Sequence, residues 1–269
     1  MSGRILVSCC CLYLMLVLLA AVAAPLLVPH SPYEQNPSAR RQPPSSRHWL
    51  GTDHLGRDVA SRLVHGARVS IGVGLAVVAS TVIIGSSVGI AAALRGGRVD
   101  GALMRFTDGL FAFPDILLAI LIVGFAGPGP IPVIAALTAV GWPAMARLVR
   151  GQTLSLRQSP FVRAARAAGA STAHIVFRHL LPHLAGVVLA AATVDLASVV
   201  LAESALSFLG IGIPPPHPSW GSLISTGREY MRTDWLLVFI PCTTLSLTVI
   251  SLNLLGDHLK AKWDSRSAR

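Results

Sequence analysis

Three histidines, His174, His179 and His183, fall close together in the chain, and two carboxylates, Asp195 and Glu203, follow in an otherwise apolar stretch. Histidines at this density have the chemistry to hold a metal ion, and a carboxylate within apolar sequence has the chemistry to carry a proton. The spacing argues against the metal. Pro182 interrupts the helical period between His179 and His183, and no His-Glu-x-x-His pair occurs. Histidines on an exposed helix surface account for the group, and no metal site is expected.

A carboxylate at the centre of a membrane span costs about 2.5–3.5 kcal/mol on insertion scales. Asp195 is therefore expected to face the interior of a helix bundle. There it is either a pathway or gate residue, open to proton exchange, or a hydrogen-bonded packing group. Glu203 stands at the outer end of the same span. The chain contains no Gly-x-x-x-x-Gly-Lys-Ser/Thr loop, so it carries no phosphate cradle of its own. An intramembrane hydrolase is not expected either.

The elements that position these groups follow from composition. The 269 residues are 53% hydrophobic and only 13% charged, against about 25% charged in soluble domains. Net charge is +10. The basic residues sit in short segments between apolar runs, where anionic headgroups or an acidic partner are the expected counterparts. No aromatic-interleaved basic patch supports nucleic-acid binding. Cys9, Cys10, Cys11 and Cys242 all lie in apolar runs and suggest no disulfide framework.

About 20 apolar residues cross the hydrocarbon core, and six such stretches are predicted. The first, from Ile5 to Val28, stands behind Arg4 and also resembles a signal peptide around "AVAA"; its apolar run continues past that point, which favours a retained helix. The others are 70–94, 104–126 with a kink at Pro114, 131–149, 184–203 and 235–256. Gly85 and Gly89 form a small-xxx-small pair suited to close helix packing. Pro114 is expected at the first helical position with Asp115 in the first turn. The organisation expected is an N-terminal span at 1–29 and an extracytoplasmic loop at 30–69, closing in an amphipathic helix near 57–68. A five-helix core at 70–257 with a cytoplasmic loop at 150–182 follows, then a tail at 258–269. Six spans put both termini on one side. Arg147, Arg150, Arg157, Arg163, Arg166 and Arg178, with no acid between them, place that loop and the termini in the cytoplasm by the positive-inside rule.

The cytoplasmic loop contains "RAARAAGASTAHIVFRHLLP", residues 163–182. Alanines and arginines favour a helix over 161–168, Gly169 allows a break, and Ser171 can cap a second helix that Pro182 stops. Ala164, Ala165, Ala167 and Ala168 present a face small enough for another protein to approach the backbone. Alternatively, such a helix pair lies on anionic headgroups.

This loop resembles the cytoplasmic signature of the membrane subunits of binding-protein-dependent ABC importers: Glu-Ala-Ala, three residues, Gly, then a run ending in Leu-Pro. Ala164, Ala165, Gly169, Leu181 and Pro182 match that pattern, and Arg163 departs from it by replacing the glutamate. "HWLGTDHLGRDVASRLVHGARVS" (48–70), "AESALSFLGIGIPPPHPSWG" and "NLLGDHLKAKWDSR" are similar, in order, to the C-type subunit of dipeptide, oligopeptide and nickel permeases. The resemblance implies an all-α, polytopic fold with six transmembrane helices, of the ABC importer type I permease kind, in a bacterial inner membrane. It implies an ATPase-coupling loop comprising Phe161, Arg163, Ala164, Ala165, Arg166, Ala168, Gly169, Ala170, Ser171, Leu181 and Pro182. It further implies a second homologous permease subunit, two ATP-binding cassette subunits that hold ATP and Mg, an extracytoplasmic substrate-binding protein, contact with membrane lipid, and no cofactor bound by this chain. Dipeptides or oligopeptides are the expected cargo, with nickel or another small solute as the alternative. A proton-coupled secondary transporter is the competing class; it would use Asp195 but give the exposed helix pair nothing to do.

Overall fold

The computed structural model describes the backbone of residues 2–267 and the side chains of residues 5–263; Arg4 and the end of the basic tail lie outside the described side chains. Nine helices carry the described architecture: α1 (Ser2–Val22), α2 (Val59–Arg95), α3 (Gly97–Phe111), α4 (Asp115–Ala126), α5 (Pro130–Arg157), α6 (Pro160–Ala167), α7 (Thr172–Phe208), α8 (Trp220–Arg228) and α9 (Leu236–Ser267). Helices α1, α2, α5, α7 and α9 are each long and apolar enough to cross a membrane, and α3 with α4 passes the same test as a pair.

That pair is bent by 86°, far more than the kink expected. Pro114 disfavours the α conformation at Phe113 before it, and Pro114 is itself extended (φ −60°, ψ 125°). It therefore stands ahead of α4 as the capping residue, not at the first helical position. Asp115 opens the first turn of α4 as expected.

Two other expectations are revised. The amphipathic stretch near 57–68 and the span from 70 are one helix, α2, of 37 residues. At 1.5 Å per residue it is about 55 Å long, so it extends well beyond a hydrocarbon core of about 30 Å. Asp58 starts it by accepting the Ser61 amide at 2.7 Å. Nor does Pro182 stop a helix. Residues Val176–Leu180 widen into a π-turn, in which the Leu181 N–H reaches the Val176 carbonyl. The wider turn takes up a proline that has no N–H and would crowd an α-helical carbonyl, and α7 runs on to Phe208.

The bundle is held by small residues, since lipid provides no hydrophobic force between helices. At Gly89 an added Cβ would lie 2.9 Å from the Arg150 amide nitrogen and 2.5 Å from the Ala146 carbonyl; at Gly85 it would lie 2.7 Å from Met145 Cβ. Helices α2 and α5 therefore touch backbone to backbone, as the small-xxx-small pair predicts. Gly85-Ser86-Ser87-Val88-Gly89 also has the Gly-x-Ser-x-Gly spacing of a hydrolase elbow. That motif needs a strand-to-helix turn, whereas Ser87 lies mid-helix and donates to the Ile83 carbonyl. Gly186 and Gly256 make equally close contacts between α7 and α9, with Trp263 and Val194 respectively. Helix α1 packs at the edge, where the Tyr13 hydroxyl donates to the Thr244 carbonyl of α9 at 3.0 Å.

Candidate functional site

Helix α6 projects from the bundle on two short connections, after α5 and before α7. Val162 anchors it. This side chain is buried in a cluster with Ile90, Met145, Val149, Ile175 and Leu180. The opposite face is open: Arg163, Ala164, Arg166 and Ala168 are exposed, and Ala165 is partly so. Gly169 ends the helix at φ +81°, where nothing lies within 4 Å of an added Cβ. The backbone conformation, not crowding, is what calls for glycine there. Ser171 then caps α7 by accepting the His174 amide at 3.2 Å. The expected break and cap both lie at the residues named for them.

Phe161 faces back toward α7. Its ring stacks on His183 at 4.8 Å between centroids and lies 6.1 Å from His179. His183 Nδ1 is also bonded to the His179 carbonyl at 2.7 Å. These histidines brace the junction, and with His174 they form no converging metal-ligand group among the described residues. Leu181 and Pro182 lie on the other side of the same junction, within α7. On the α5 side, Arg157 donates to the Ala93 carbonyl of α2 at 2.9 Å. Arg150 grips Asp100 of α3 with two hydrogen bonds of 2.5 Å, and Arg147 pairs with Asp108. The cationic loop is thus wired to three helices.

Asp195 is half-buried on α7 between two clefts of about 340 Å³ each. One, toward α9, is also lined by Gln152, Asp257 and Lys260; the other, toward the α3–α4 bend, by Thr81, Asp115 and Ser198. Glu203, two turns further along, is fully buried. It accepts the Ser207 hydroxyl at 2.7 Å, and Ser207 in turn accepts the Ile213 amide at 3.1 Å. Ser70, Ser219 and Ser204 complete its shell, and Ser70 also accepts the Trp220 amide at 3.2 Å. Glu203 thereby joins α2, α7, the following loop and α8. Asp195 borders open space; Glu203 touches none of the clefts described.

The segment before α2 contains functional candidates to which sequence reasoning gave no role. Asp53 accepts the Leu55 and Arg57 amides and pairs with the Arg57 guanidinium at 2.7 Å. Arg62 lies 3.6 Å from the same carboxylate and donates to the Pro32 carbonyl. All three charges are almost wholly buried. His54 stacks on Tyr230 at 5.3 Å, which ties this segment to the residues after α8. Burial pushes its imidazole below the ordinary value, against the pull of Asp53. The signal was legible as "GTDHLGRD": acid, glycine and arginine at turn spacing beside a helix cap.

Residues 70–266 match the family described as the binding-protein-dependent transport system inner membrane component. The chain belongs to this family. Residues 7–44 match the N-terminal transmembrane domain of oligopeptide transport permease C, which places it in the C-type peptide permease subfamily. A putative peptide transport system permease protein of Brucella suis is 44% identical over 245 residues, covering 91% of this chain and 82% of the relative. The dipeptide transport system permease protein DppC of Bacillus subtilis is 39% identical, covering 92% and 78%. A di/tripeptide permease DppC of Pseudomonas aeruginosa is 38% identical, covering 90% and 82%. The inward-facing MetNI methionine ABC transporter shares the fold at a TM-score of 0.60 and 21% identity, over 74% of this chain and 95% of that one. The chain is accordingly a multi-pass inner-membrane permease subunit of an ABC importer, all-helical, with its apolar helices as the spans.

Proposed function

We propose that this permease subunit moves dipeptides or oligopeptides inward, and that helix α6 is the surface on which a cytoplasmic ATPase subunit acts. The curated relatives named for peptide transport support the cargo. The two-faced build of α6 carries the coupling role. Val162 locks one face into the bundle, while exposed alanines and arginines leave the other free for a partner. A helix meant only to rest on lipid would present its apolar side outward; here the apolar side faces the protein. Phe161, Arg157 and Arg150 then connect any push on α6 to α7, α2 and α3. Rigid-body transfer of this kind is an established form of switching.

In this account α6 and both termini face the cytoplasm, in keeping with the arginine-rich, acid-free stretch 147–178. The coupling role asks no nucleotide site and no cofactor of this chain; ATP and Mg belong to two partner ATPases. A second permease subunit completes the pathway, with Asp195 on its wall, and an extracytoplasmic binding protein delivers the peptide. Arg163, standing where the family pattern has glutamate, calls for an acidic or carbonyl-lined groove in the ATPase partner.

Gly169→Pro and Ala165→Glu test the role in the reconstituted complex. Gly169 donates its amide to the Arg166 carbonyl at 3.0 Å and adopts a positive φ, neither of which proline allows. Peptide uptake should fall at least about tenfold in both variants, the effect of about 1.4 kcal/mol of lost coupling, with membrane insertion intact and ATP hydrolysis retained. Unchanged uptake in both would remove α6 from the mechanism.

A further inference from the structure

On the opposite, loop-rich end of the bundle, His30, His48 and Asp58 converge. One ligand atom from each lies within 4.8 Å of the others. The three come from separate places: just after the first span, the middle of the 30–58 segment, and the cap of α2. Nothing in the coupling account uses them as a group. We infer that they form a binding site for a divalent transition metal of the Zn²⁺ class.

The donor set and the groups that hold it both suit such an ion. A tetrahedral ion with bonds of about 2.1 Å sets its ligand atoms roughly 3.4 Å apart. His48 Nδ1 and Asp58 Oδ1 are hydrogen-bonded at 2.9 Å, so an ion would take the place of the shared proton and widen that pair by about half an ångström. The widest separation in the trio, at most 4.8 Å, would close by up to about 1.4 Å. Two imidazoles and one carboxylate suit zinc and its neighbours, whereas calcium and magnesium prefer oxygen alone.

The outer partners of a metal site are also in place. His30 Nε2 lies 2.9 Å from the Arg47 carbonyl, the contact that fixes the tautomer of a ligating histidine and leaves Nδ1 with its lone pair. Asp58 Oδ2 is held by the Ser61 amide at 2.7 Å, so the carboxylate is oriented by backbone. The His30 and His48 rings lie 4.7 Å apart, tilted by 32°. The side chains of His48 and Asp58 are only 12% and 4% exposed, which separates the group from scattered surface histidines. A small cavity opens onto all three and is also lined by Glu34 and Arg47. Glu34 offers a further carboxylate, and with Asp58 it outweighs the single Arg47 charge.

An ion here would add a link between the end of the first span and the start of α2, beside the Arg62 hydrogen bond to the Pro32 carbonyl. The assembled complex in nanodiscs, stripped with chelator, is titrated with ZnCl₂ against a chromophoric competitor. The wild type should bind one equivalent per permease subunit that His30→Ala lacks. His30 is the residue to change, because Asp58 also caps α2 and its loss would unfold the helix start. Zinc should raise the melting temperature of the wild type and leave that of His30→Ala unmoved. Zinc uptake of the same stoichiometry and affinity in His30→Ala, or none in the wild type at 100-fold excess over the protein, would overturn the site. Peptide uptake by zinc-free complex does not enter the readout, so the outcome is independent of the coupling role of α6.

Discussion

The Phe161 ring lies nearly parallel to the His183 imidazole, 4.8 Å apart and 20° from coplanar. One belongs to the projecting helix and the other to the first turns of α7 beyond the π-turn. This stack is the direct aromatic link between the outward-facing arginines and the span that carries Asp195 and Glu203. An aromatic pair of this kind is worth about 0.5–1.5 kcal/mol beyond its buried area. That is small against bundle stability but about half of a coupling free energy of about 1–3 kcal/mol.

Phe161→Ala is therefore expected to cut peptide transported per ATP hydrolysed by about threefold to tenfold in proteoliposomes, while the complex still assembles. Phe161→Tyr keeps the ring and should retain most of the coupling. Equal transport stoichiometry in wild type and Phe161→Ala would show that the stack transmits nothing.

Gly89 gives a stability prediction. A Cβ there meets backbone atoms of Ala146 and Arg150, which cannot rotate away. Gly89→Ala should destabilise by about 1–3 kcal/mol, the usual cost of overpacking, and lower the melting temperature in detergent. Gly72→Ala, on the same helix with nothing within 4 Å of its added Cβ, should be neutral or stabilising. If the two variants melt alike, the α2–α5 contact is looser than described.

His54 makes the outer segment sensitive to pH. Burial holds its folded value below the ordinary 6.5, so the unfolded state binds the proton more readily. The sign follows from linkage: His54 gives its full contribution above pH 6.5, and that contribution is lost as pH falls through 6.5 toward the folded value. Melting curves between pH 7.5 and 5 should drop more for the wild type than for His54→Phe, which keeps the stack on Tyr230 without the titration. Parallel curves would assign the acid sensitivity elsewhere.

The span pattern was legible because lipid imposes a length and an apolar composition on each helix. Gly85 and Gly89 were legible because close packing in lipid selects small residues. The loop motif was legible at Gly169 and Ser171, where one backbone angle and one cap decide the geometry. The failures have equally local causes. Pro182 reads as a stop in sequence, but a single π-turn removes the clash that would make it one. Pro114 reads as a kink, but an extended proline after a disfavoured Phe113 turns a kink into a sharp bend. The amphipathic start of α2 reads as a separate helix, because polarity changes where the helix leaves the bilayer and the backbone does not. Asp53, Arg57 and Arg62 went without roles because their partners are neighbours in the turn and a carbonyl 30 residues away, a relation no periodicity records.

Helix α6 as the point of force transfer is most directly tested by crosslinking from Ala165→Cys, with the native cysteines replaced, in inverted membranes holding the whole importer. The account predicts a crosslink to the ATP-hydrolysing subunit whose yield changes between nucleotide-free and ATP-bound states. Labelling of that cysteine by an impermeant reagent from the outer face, or capture by lipid probes alone in both states, would contradict it.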